Sequence, residues 1–561
     1  MTENELIADL LFPNIKNTAE YYVKKYAKRN LPEGAIVSRF APSPTGYVHM
    51  GSLLTAFYDY IFAKQSNGVY YLRIEDTDLE RTIQNGVEGI ISDLDAFSVV
   101  ADEGVNESRK SSGKYGPYIQ TERKEIYQTF AKELVKKGMA YPCFCSKDEL
   151  DKIRTKQEKN KEVQIGYYGK YATCRNLTYA QIKANIDAKK PFVIRFKAQA
   201  NIGDRVKFID KVRGEIEMAD LVNDVVILKS DTMLPPYNFA HAVDDTLMGT
   251  TVVIRSNEWL NSVPEHLQLF KALGFKAPEY AHVAFVQKID EQTGTKRKIS
   301  KRKDPETAVS SMLKEGYPTE SVWEYLYTLG NTNFEEWRLN NPTAPLSDFK
   351  MTFEKISLSG ALFDINKFND VSKNVISRMP AQKVYDLTLD WAIKYNGEWA
   401  NILRENREYC INMFKIDREN EKPRKDITKW SDIPSLYSYM IDDLYFMATS
   451  TKDYELLEGF NKETYSKIFA NYLSTYKDSD TKEEWFAKIK EMCPALGFAA
   501  EVKEYKKNPA EYLGHCGTVC TIIRIALTGK QNSLDLYAIC KLLGAEEVRN
   551  RLNYFLGLVK K

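Results

Sequence analysis

The chain has 561 residues, too many for a single hydrophobic core, so we expect three or more domains. Its formal net charge of +2 excludes a global basic field that would attract nucleic acid, and any RNA contact must come from local patches. The apolar content of 43% is ordinary for a globular protein, and no run reaches the ~18 apolar residues of a membrane span.

Residues 1–34 are predicted to form a helical extension that ends at the turn Leu31–Gly34. The extension carries acidic residues, unlike a transit peptide. The eight cysteines are typical of a reduced protein, so we expect a cytoplasmic location.

Strands and helices alternate from residue 35 to residue 117. The apolar strands Ile36–Phe40 and Val69–Asp76 are each followed by a predicted helix, one after Gly51 and one at Gly86–Phe97. This β-α-β-α order predicts the first half of a Rossmann-like, doubly wound parallel sheet in an α/β multidomain protein.

The pattern changes at residues 118–225, where a helix at Thr121–Gly138 leads into several short strands. We interpret this segment as an α+β insertion that splits the sheet. The alternation resumes in the segment 226–290, whose first predicted strand is DVVILKS at Asp224–Ser230, followed by Tyr237–Asp245 and Thr250–Ser256, which are also predicted to be strands. Residues 291–365 hold a cationic loop, and residues 366–561 are predicted to be all-α.

The string FAPSPTGYVHMGS, residues Phe40–Ser52, joins the first strand to the first long helix. A glycine-bearing turn before a helix N-terminus forms an anion site, because free N–H groups and the helix dipole face the ligand. Gly46 and Gly51 would let the backbone approach a nucleotide closely. His49 can donate a hydrogen bond to phosphate, although a histidine in a turn, taken alone, is usually structural.

A second string, KRKISKRKD at Lys296–Asp304, is strongly cationic. By itself it is a phosphate or RNA patch or a merely soluble turn. Together the two strings resemble the HIGH and KMSKS signatures of class I aminoacyl-tRNA synthetases, with Ser52 replacing the final His and Arg302 the final Ser. The PSPTG spelling and the RIEDTD string at Arg73–Asp78 are closest to bacterial-type glutamyl-tRNA synthetases.

The resemblance covers about residues 35–561. It implies that residues 118–225 bind the tRNA acceptor stem, that residues 291–365 contact the stem and that residues 366–561 read the anticodon. It also implies a monomer that uses ATP with Mg²⁺, L-glutamate and tRNA(Glu), and that needs bound tRNA to activate glutamate efficiently. The sequence leaves open whether tRNA(Gln) is charged as well.

The resemblance assigns catalysis to His49 and Lys301. The positions that match ATP-binding positions of the family are Pro42, Thr45, Gly46, His49, Gly51, Ser52, Glu258, Lys298, Ser300, Lys301 and Arg302. Phosphoryl-type chemistry is mainly positioning and charge stabilisation, so no enzyme nucleophile is expected.

The glutamate site is predicted around two arginines that end or interrupt apolar strands. Arg39 needs a partner if buried, which is a core aspartate or an anionic substrate. In the resembling family Arg39 and Arg255 bind the side-chain carboxylate, and Glu75 contacts the amino group. From the residues alone, the carboxylates after the second strand are either ligands or helix caps. The glutamate-binding positions are Arg39, Ala41, Ser43, Glu75, Tyr237, His241, Arg255 and Trp259, with His241 alternatively a neutral structural histidine.

Cys143, Cys145 and Cys174 resemble a zinc knuckle found in some relatives. Structural zinc requires four nitrogen or sulfur ligands, and Tyr171 is a poor fourth ligand. We therefore expect buried free thiols rather than Zn²⁺.

The sequence as a whole predicts a glutamate–tRNA ligase that forms glutamyl-adenylate and transfers glutamate to tRNA. One alternative is an enzyme of the same fold that transfers glutamate to a modified tRNA base, although such relatives are short and lack the helical region. The other alternative is a non-catalytic tRNA-binding paralogue. Intact His49, Glu75 and Arg255 argue against the second alternative.

Overall fold

The computed structural model of this chain describes residues 1–78, 82–106, 108–300 and 303–559. The chain divides into two units. The first comprises Met1–Ser311 and Trp323–Asp364, and the second comprises Met312–Val322 and Ile365–Lys561.

All strands of the described residues belong to the first unit. In chain order they are β1 Val37–Phe40, β2 Val69–Leu72, β3 Glu103–Val105, β4 Ser111–Ser112, β5 Ala140–Cys143, β6 Val193–Phe196, β7 Arg205–Asp210, β8 Gly214–Ala219, β9 Val226–Leu228, β10 Val252–Ser256, β11 Glu279–Val283, β12 Gln287–Ile289 and β13 Lys296–Lys298.

The α-helices are also numbered in chain order. They are α1 Glu3–Leu11, α2 Ala19–Lys25, α3 Met50–Gln65, α4 Gly86–Ala96, α5 Lys124–Lys136, α6 Lys147–Lys159, α7 Tyr179–Asp187, α8 Tyr237–Leu247, α9 Val263–Leu273, α10 Val309–Glu315, α11 Thr319–Gly330, α12 Phe334–Asn340, α13 Ile365–Ser377, α14 Ala381–Tyr395, α15 Gly397–Glu405, α16 Arg407–Lys415, α17 Ile433–Tyr437, α18 Asp442–Ser450, α19 Lys462–Thr475, α20 Lys482–Met492, α21 Val502–Lys507, α22 Cys516–Thr528 and α23 Leu536–Leu558. None of the helices in the described ranges is both long and apolar enough to cross a membrane.

The strand pairing confirms the predicted doubly wound sheet. β1 pairs in parallel with β2, and β2 with β3, while β10 pairs in parallel with β11. The Thr251 amide donates to the Val37 carbonyl at 2.9 Å, which places β10 beside β1. The resulting strand order is β3-β2-β1-β10-β11, and the strands stay parallel. From β1 the chain adds β2 and β3 on one side, whereas β10 and β11 lie on the other side, so the order of strands reverses between β1 and β10. Ligands of such sheets bind at that point, beyond the carboxyl ends of the strands.

Two elements pair with strands outside the segment to which the sequence analysis assigned them. β9, read as the start of the second half of the sheet, pairs antiparallel with β6, and β6 pairs with β5, so β9 completes the small sheet of the insertion. The β7–β8 hairpin was assigned to the insertion, but Asp210 of β7 pairs in parallel with Tyr280 of β11. Sequence patterns predict a strand but not its partner, because long-range pairing depends on contacts distant in sequence.

The stretch Tyr237–Asp245, predicted as a strand, is helix α8. Its apolar residues Phe239 and Val243 are four positions apart. This spacing occurs on one face of a helix and also on one face of a strand, so a segment this short does not reveal which of the two it forms. Asp244 and Asp245 therefore lie on the buried side of a helix and not at the end of a strand, which corrects the prediction.

The N-terminal extension is part of the first unit's core. Ile7 and Leu11 of α1 and Tyr22 of α2 are buried in one apolar cluster with Phe130 of α5 and Phe270 of α9. Burial of such side chains stabilises the extension against the insertion and the second half of the sheet.

The second unit is all-α in its described residues, as predicted for the C-terminal region. Its core includes Trp485 of α20, Ile522 of α22 and Phe555 of α23. Helix α23 is interrupted at Gly544, whose φ of 80° lies in the left-handed region that glycine tolerates.

Candidate active site

A cleft of about 370 Å³ lies where β1 and β10 end and α3 begins. This is the point at which the strand order reverses, where doubly wound folds bind their ligands. The residues that were predicted to bind ATP or glutamate and that line the cleft are Arg39, Ala41, Pro42, Ser43, Thr45, Gly46, His49, Gly51, Ser52, Glu75, Tyr237, Arg255, Glu258, Trp259 and Lys298.

His49 is the N-cap residue of α3. Its Nδ1 accepts hydrogen bonds from the backbone amides of Gly51 and Ser52, at 3.0 and 3.3 Å. A neutral ring that accepts at Nδ1 carries its hydrogen on Nε2, which lies 3.4 Å from Ser52 Oγ. A Cβ added to Gly51 would lie 3.0 Å from His49 Cε1, so glycine leaves room for the ring to fold over the helix end. The cap therefore orients one N–H donor at the anion-binding end of α3.

Arg255, the penultimate residue of β10, is only 5% exposed. Its Nε donates to His282 Nε2 at 3.0 Å and its Nη1 to the Tyr237 hydroxyl at 3.1 Å. Its Nη2 donates to His266 Nδ1 at 3.2 Å and to the Trp259 carbonyl at 3.4 Å. Among the described residues no carboxylate forms an ion pair with Arg255, so none of them neutralises its positive charge directly.

Arg39 is buried beside carboxylates. Its Nε lies 3.2 Å from both carboxylate oxygens of Asp245, and Arg73 contacts the same carboxylate at 2.6 Å. Although burial opposes ionisation, Arg39 and Arg73 hold the pKa of Asp245 well below its usual range. Of the two partners that the sequence allowed for Arg39, a core aspartate is therefore present. Because Arg39 also lines the cleft, this does not remove it from contact with a ligand.

Glu75 lies at the cleft after β2, with an ion pair of 2.9 Å to Arg73. Burial raises the pKa of Glu75, and the positive charges of Arg73 and Arg39 oppose that shift. Asp76 has a different role: it accepts from the amide and the hydroxyl of Thr121 at 2.9 and 2.6 Å, which fixes the start of the insertion. Of the two hypotheses for these carboxylates, the ligand hypothesis fits Glu75, which lines the cleft, whereas Asp76 binds Thr121, which neither hypothesis included.

The cationic loop is organised by Asp304, which the sequence analysis did not single out. This buried carboxylate accepts from Arg297 Nη1 and Nη2 at 2.6 and 2.7 Å and from the Ser300 amide at 2.9 Å. The Arg297 bonds, with burial opposing, lower the pKa of Asp304. Lys298 contacts Glu258 at 3.2 Å across the cleft mouth. Ser300 does not line the cleft, and Lys301 and Arg302 lie outside the described residues.

His241 does not line the cleft, which corrects its assignment to glutamate binding. Its ring is fully buried, with Nδ1 bonded to Asp245 and Nε2 3.0 Å from the Tyr280 hydroxyl. Burial lowers its pKa to about 4. The structural alternative for His241 is therefore the one that the structure supports.

The three cysteines of the insertion converge. Their sulfur atoms lie within 4.8 Å of one another, and Cys145 Sγ is 3.6 Å from Cys174 Sγ. Tyr171 is directed elsewhere, because its hydroxyl donates to Glu162. The hydroxyl of Tyr167 instead lies 3.4 Å from Cys143 Sγ and 3.3 Å from Cys145 Sγ. The three sulfurs are soft donors of the kind that Zn²⁺ prefers, but they supply only three of its four ligands, and the Tyr167 phenol is not a nitrogen or sulfur ligand.

Several residues at or behind the cleft were missed by the sequence analysis. They are Asp59, Asp210, His266, His282 and Asp304. A histidine inside the apolar string YAHVAFV was the one available signal for His282. Asp59 is fully buried at the cleft, neither of its carboxylate oxygens has a hydrogen-bond partner in the described structure, and burial raises its pKa well above the usual value.

Comparison with known proteins decides the family. The profile described as tRNA synthetases class I (E and Q), catalytic domain, matches residues 35–370. The chain belongs to this family. A second profile, described as an anticodon binding domain, matches residues 427–556 in the all-α unit. The resemblance predicted from the sequence is thus confirmed.

Relatives of this family match over the whole chain. A glutamate–tRNA ligase of Acetivibrio thermocellus is 45% identical over 551 residues, covering 98% of this chain and 99% of the relative. One of Clostridium perfringens is 44% identical, covering 99% and 100%. A crystal structure of a glutamate tRNA ligase from Elizabethkingia meningosepticum, in complex with its amino acid, is 25% identical with a TM-score of 0.70, covering 94% of this chain and all of that one.

Proposed function

We propose that this chain is a glutamate–tRNA ligase, which activates L-glutamate with ATP and transfers it to the 3′ end of tRNA(Glu). The observation that carries the proposal is Arg255: a buried cation at the cleft whose hydrogen bonds all go to neutral groups. Burying an unpaired charge is costly, so such a site favours an anionic ligand. Full-length relatives that are glutamate–tRNA ligases agree with this choice of ligand.

The side-chain carboxylate of glutamate binds Arg255, with Arg39 as the second arginine of the clamp. Planar guanidinium groups are well suited to carboxylates, and an amide would present a donor to their donors. Glu75 accepts from the substrate's ammonium group. Ala41, Ser43, Tyr237 and Trp259 complete the walls, with the Tyr237 and Trp259 rings 4.2 Å apart.

The phosphates of ATP bind at the start of α3. The dipole of the helix favours the anion, and His49 Nε2–H donates to a phosphate oxygen. Lys298 and Lys301, which both belong to the cationic sequence 296–304, are proposed to bind the phosphates, and Mg²⁺ bound with ATP would neutralise phosphate charge. The α-carboxylate of glutamate attacks the α-phosphorus and pyrophosphate leaves, after which the terminal ribose of tRNA attacks the mixed anhydride. The remaining predicted ATP positions that line the cleft are Pro42, Thr45, Gly46, Gly51, Ser52 and Glu258. Ser300 and Arg302 stay predictions from the family resemblance.

The anticodon-binding region reads the identity of tRNA(Glu), since proteins read single-stranded loop bases more readily than an A-form stem. Phosphate contacts from the insertion position the acceptor end without carrying sequence information. We further propose that the protein acts as a monomer in the cytoplasm.

Charging of purified tRNAs tests the proposal. We expect the chain to attach glutamate to tRNA(Glu), with ATP consumed, and not to an unrelated tRNA. The same assay with tRNA(Gln) decides whether glutamine tRNA is also a substrate. Failure to attach glutamate to either tRNA would refute the proposed function, whereas attachment to a base within the anticodon loop would favour the base-modifying alternative.

We also propose Zn²⁺ as an occupant of the Cys143, Cys145 and Cys174 cluster, as an alternative to the buried free thiols expected from the sequence. The convergence of the three sulfurs supports it, and a fourth ligand would have to come from outside this cluster. Metal analysis of the purified protein tests it, and a stoichiometric thiol titration without zinc would refute it.

A further inference from the structure

The protonation state of His282 follows from its two neighbours. An arginine N–H can only donate, so the His282 Nε2 that faces Arg255 Nε is an unprotonated acceptor. The ring hydrogen therefore lies on Nδ1 and is donated to Asp210 Oδ2 at 2.7 Å. Asp210 is itself fixed, because its other carboxylate oxygen accepts from the amides of Val212 and Arg213 at 3.0 Å. The hairpin β7–β8 thus selects the tautomer of His282 that can accept from Arg255.

His266 is neutral by the same reasoning. Its Nδ1 accepts from Arg255 Nη2 at 3.2 Å, and its Nε2 donates to Asn238 Oδ1 at 2.9 Å. Burial also lowers the pKa of His266 well below its usual value, and that of His282 is lowered by burial although Asp210 opposes the shift. Both rings are fully buried. Neither ring can therefore offset the charge of Arg255.

The other buried arginines near the cleft are held differently. Arg39 and Arg73 share the carboxylate of Asp245, and Arg123 contacts Asp244 at 2.7 Å. A carboxylate fixes an arginine and also offsets part of its charge; because Asp245 is shared by two arginines, Arg39 keeps part of its attraction for a ligand carboxylate. A neutral imidazole fixes the guanidinium plane but leaves the charge in place, so Arg255 retains both its orientation and its attraction for an anion.

We propose that His266 and His282 are positioning residues that determine the substrate specificity of the cleft: as neutral acceptors they orient Arg255 and leave its charge for the carboxylate of the amino-acid substrate. Asp210 supports this role by holding the tautomer of His282. The inference rests on the proposed function, which makes glutamate that substrate. Of the five N–H groups of Arg255, four donate to the protein, which leaves one Nη1 hydrogen for the ligand.

The specificity follows from charge balance. A substrate with a side-chain carboxylate supplies the missing anion, whereas an amide leaves the buried guanidinium uncompensated. If a protein carboxylate replaced either imidazole, Arg255 would already be paired, and the substrate carboxylate would compete with it.

Two pairs of variants separate charge from shape. Gln and Glu at position 282 have the same shape and can place an oxygen near the position of Nε2, so His282→Gln keeps a neutral acceptor and His282→Glu introduces an anion. Asn and Asp do the same for Nδ1 at position 266. We expect the KM for glutamate to be about 10- to 100-fold higher in each acidic variant than in its amide partner. The reason is that a hydrogen bond to a charged group changes a binding constant by about one to two orders of magnitude. The KM for ATP should be equal within each pair.

The assay is ATP–pyrophosphate exchange with tRNA(Glu) present, supported by thermal unfolding and by direct glutamate binding. If the variants at position 282 do not fold, the pair His266→Asn and His266→Asp gives the answer. If the wild-type chain activates glutamate but the acidic and amide variants have equal KM values for glutamate, the positioning role is overturned and the proposed function stands. A wild-type chain that neither binds nor activates glutamate would overturn the proposed function, and the positioning role with it.

Discussion

Replacing Arg255 by glutamine isolates the contribution of the uncompensated charge. The guanidinium is buried, so solvent screens its attraction for a carboxylate only weakly. Hydrogen bonds to charged groups contribute about 1.5–3 kcal/mol each, and 1.4 kcal/mol is a factor of ten. We therefore expect Arg255→Gln to raise the KM for glutamate about 10- to 100-fold while the KM for ATP stays within about twofold of wild type.

The effect of this substitution on stability provides a second, independent readout. Removing an unpaired buried cation relieves a desolvation cost, which offsets the hydrogen bonds lost to neutral acceptors. Arg29 is the matched control, because it pairs through two bonds of 2.9 and 2.8 Å with Glu103 and does not line the cleft. We expect Arg29→Gln to lower Tm more than Arg255→Gln and to leave the KM for glutamate unchanged. A folded Arg255→Gln variant with an unchanged KM for glutamate would refute the clamp.

Three further predictions concern other parts of the first unit. Lys301→Ala is expected to lower the rate of glutamate activation by about 10²-fold, since losing a preorganised cation at a developing charge costs ~2.7–4 kcal/mol. The affinity for tRNA should be nearly unchanged. A loss of activity explained by weaker tRNA binding would contradict the role of Lys301 at the ATP phosphates. Burial raises the pKa of Asp59 in the folded protein well above its value in the unfolded chain. Protonated Asp59 therefore contributes fully to stability below the unfolded pKa, and this contribution is lost as pH rises through the folded pKa. The Tm of Asp59→Asn minus that of wild type should therefore increase from pH 4 to pH 7, and a decrease would show that Asp59 is ionised. Cys145→Ser should lower the zinc content and Tm of the protein, whereas Cys410→Ser, at a buried cysteine outside the cluster, should leave the zinc content unchanged.

The nucleotide fold could be predicted from the sequence because its signals are local. The apolar strand before Pro42, the glycine turn and the helix that follows lie within one short segment, and their spacing alone predicts an anion site. The helical nature of residues 366–561 is likewise carried by local periodicity.

The partners of the site residues could not be predicted, because they come from distant segments. Asp210, His266 and His282 lie on β7, α9 and β11, and they meet Arg255 or each other only after the parallel pairing of β7, β10 and β11. Arg255 was found by its position at a strand end, but nothing local indicated that its acceptors would be neutral. His241 was misassigned for a different reason: its partner Asp245 is only four residues away, and the contact depends on α8 being a helix and not the predicted strand.

A His-x-Gly string followed by a hydroxyl residue is not sufficient to define an ATP site. The second unit contains His515-Cys516-Gly517-Thr518, in which His515 Nδ1 accepts from the Gly517 amide at 3.0 Å and caps α22. A Cβ on Gly517 would lie 2.7 Å from the His515 ring, the same constraint that Gly51 meets at His49. The motif therefore encodes a helix cap.

What distinguishes the two caps is the element that precedes each helix. Helix α3 follows β1 of a parallel sheet at the point where the strand order reverses, so its capped end lines one cleft with Arg255, Glu75 and Lys298. Helix α22 follows short helices in a unit whose described residues contain no strand. A capping imidazole and a helix dipole are present at both helix ends, and the start of α3 also lies in a cleft with groups that can bind a second substrate. The ATP site is therefore specified by the topology around the motif, and the motif contributes the orientation of one imidazole.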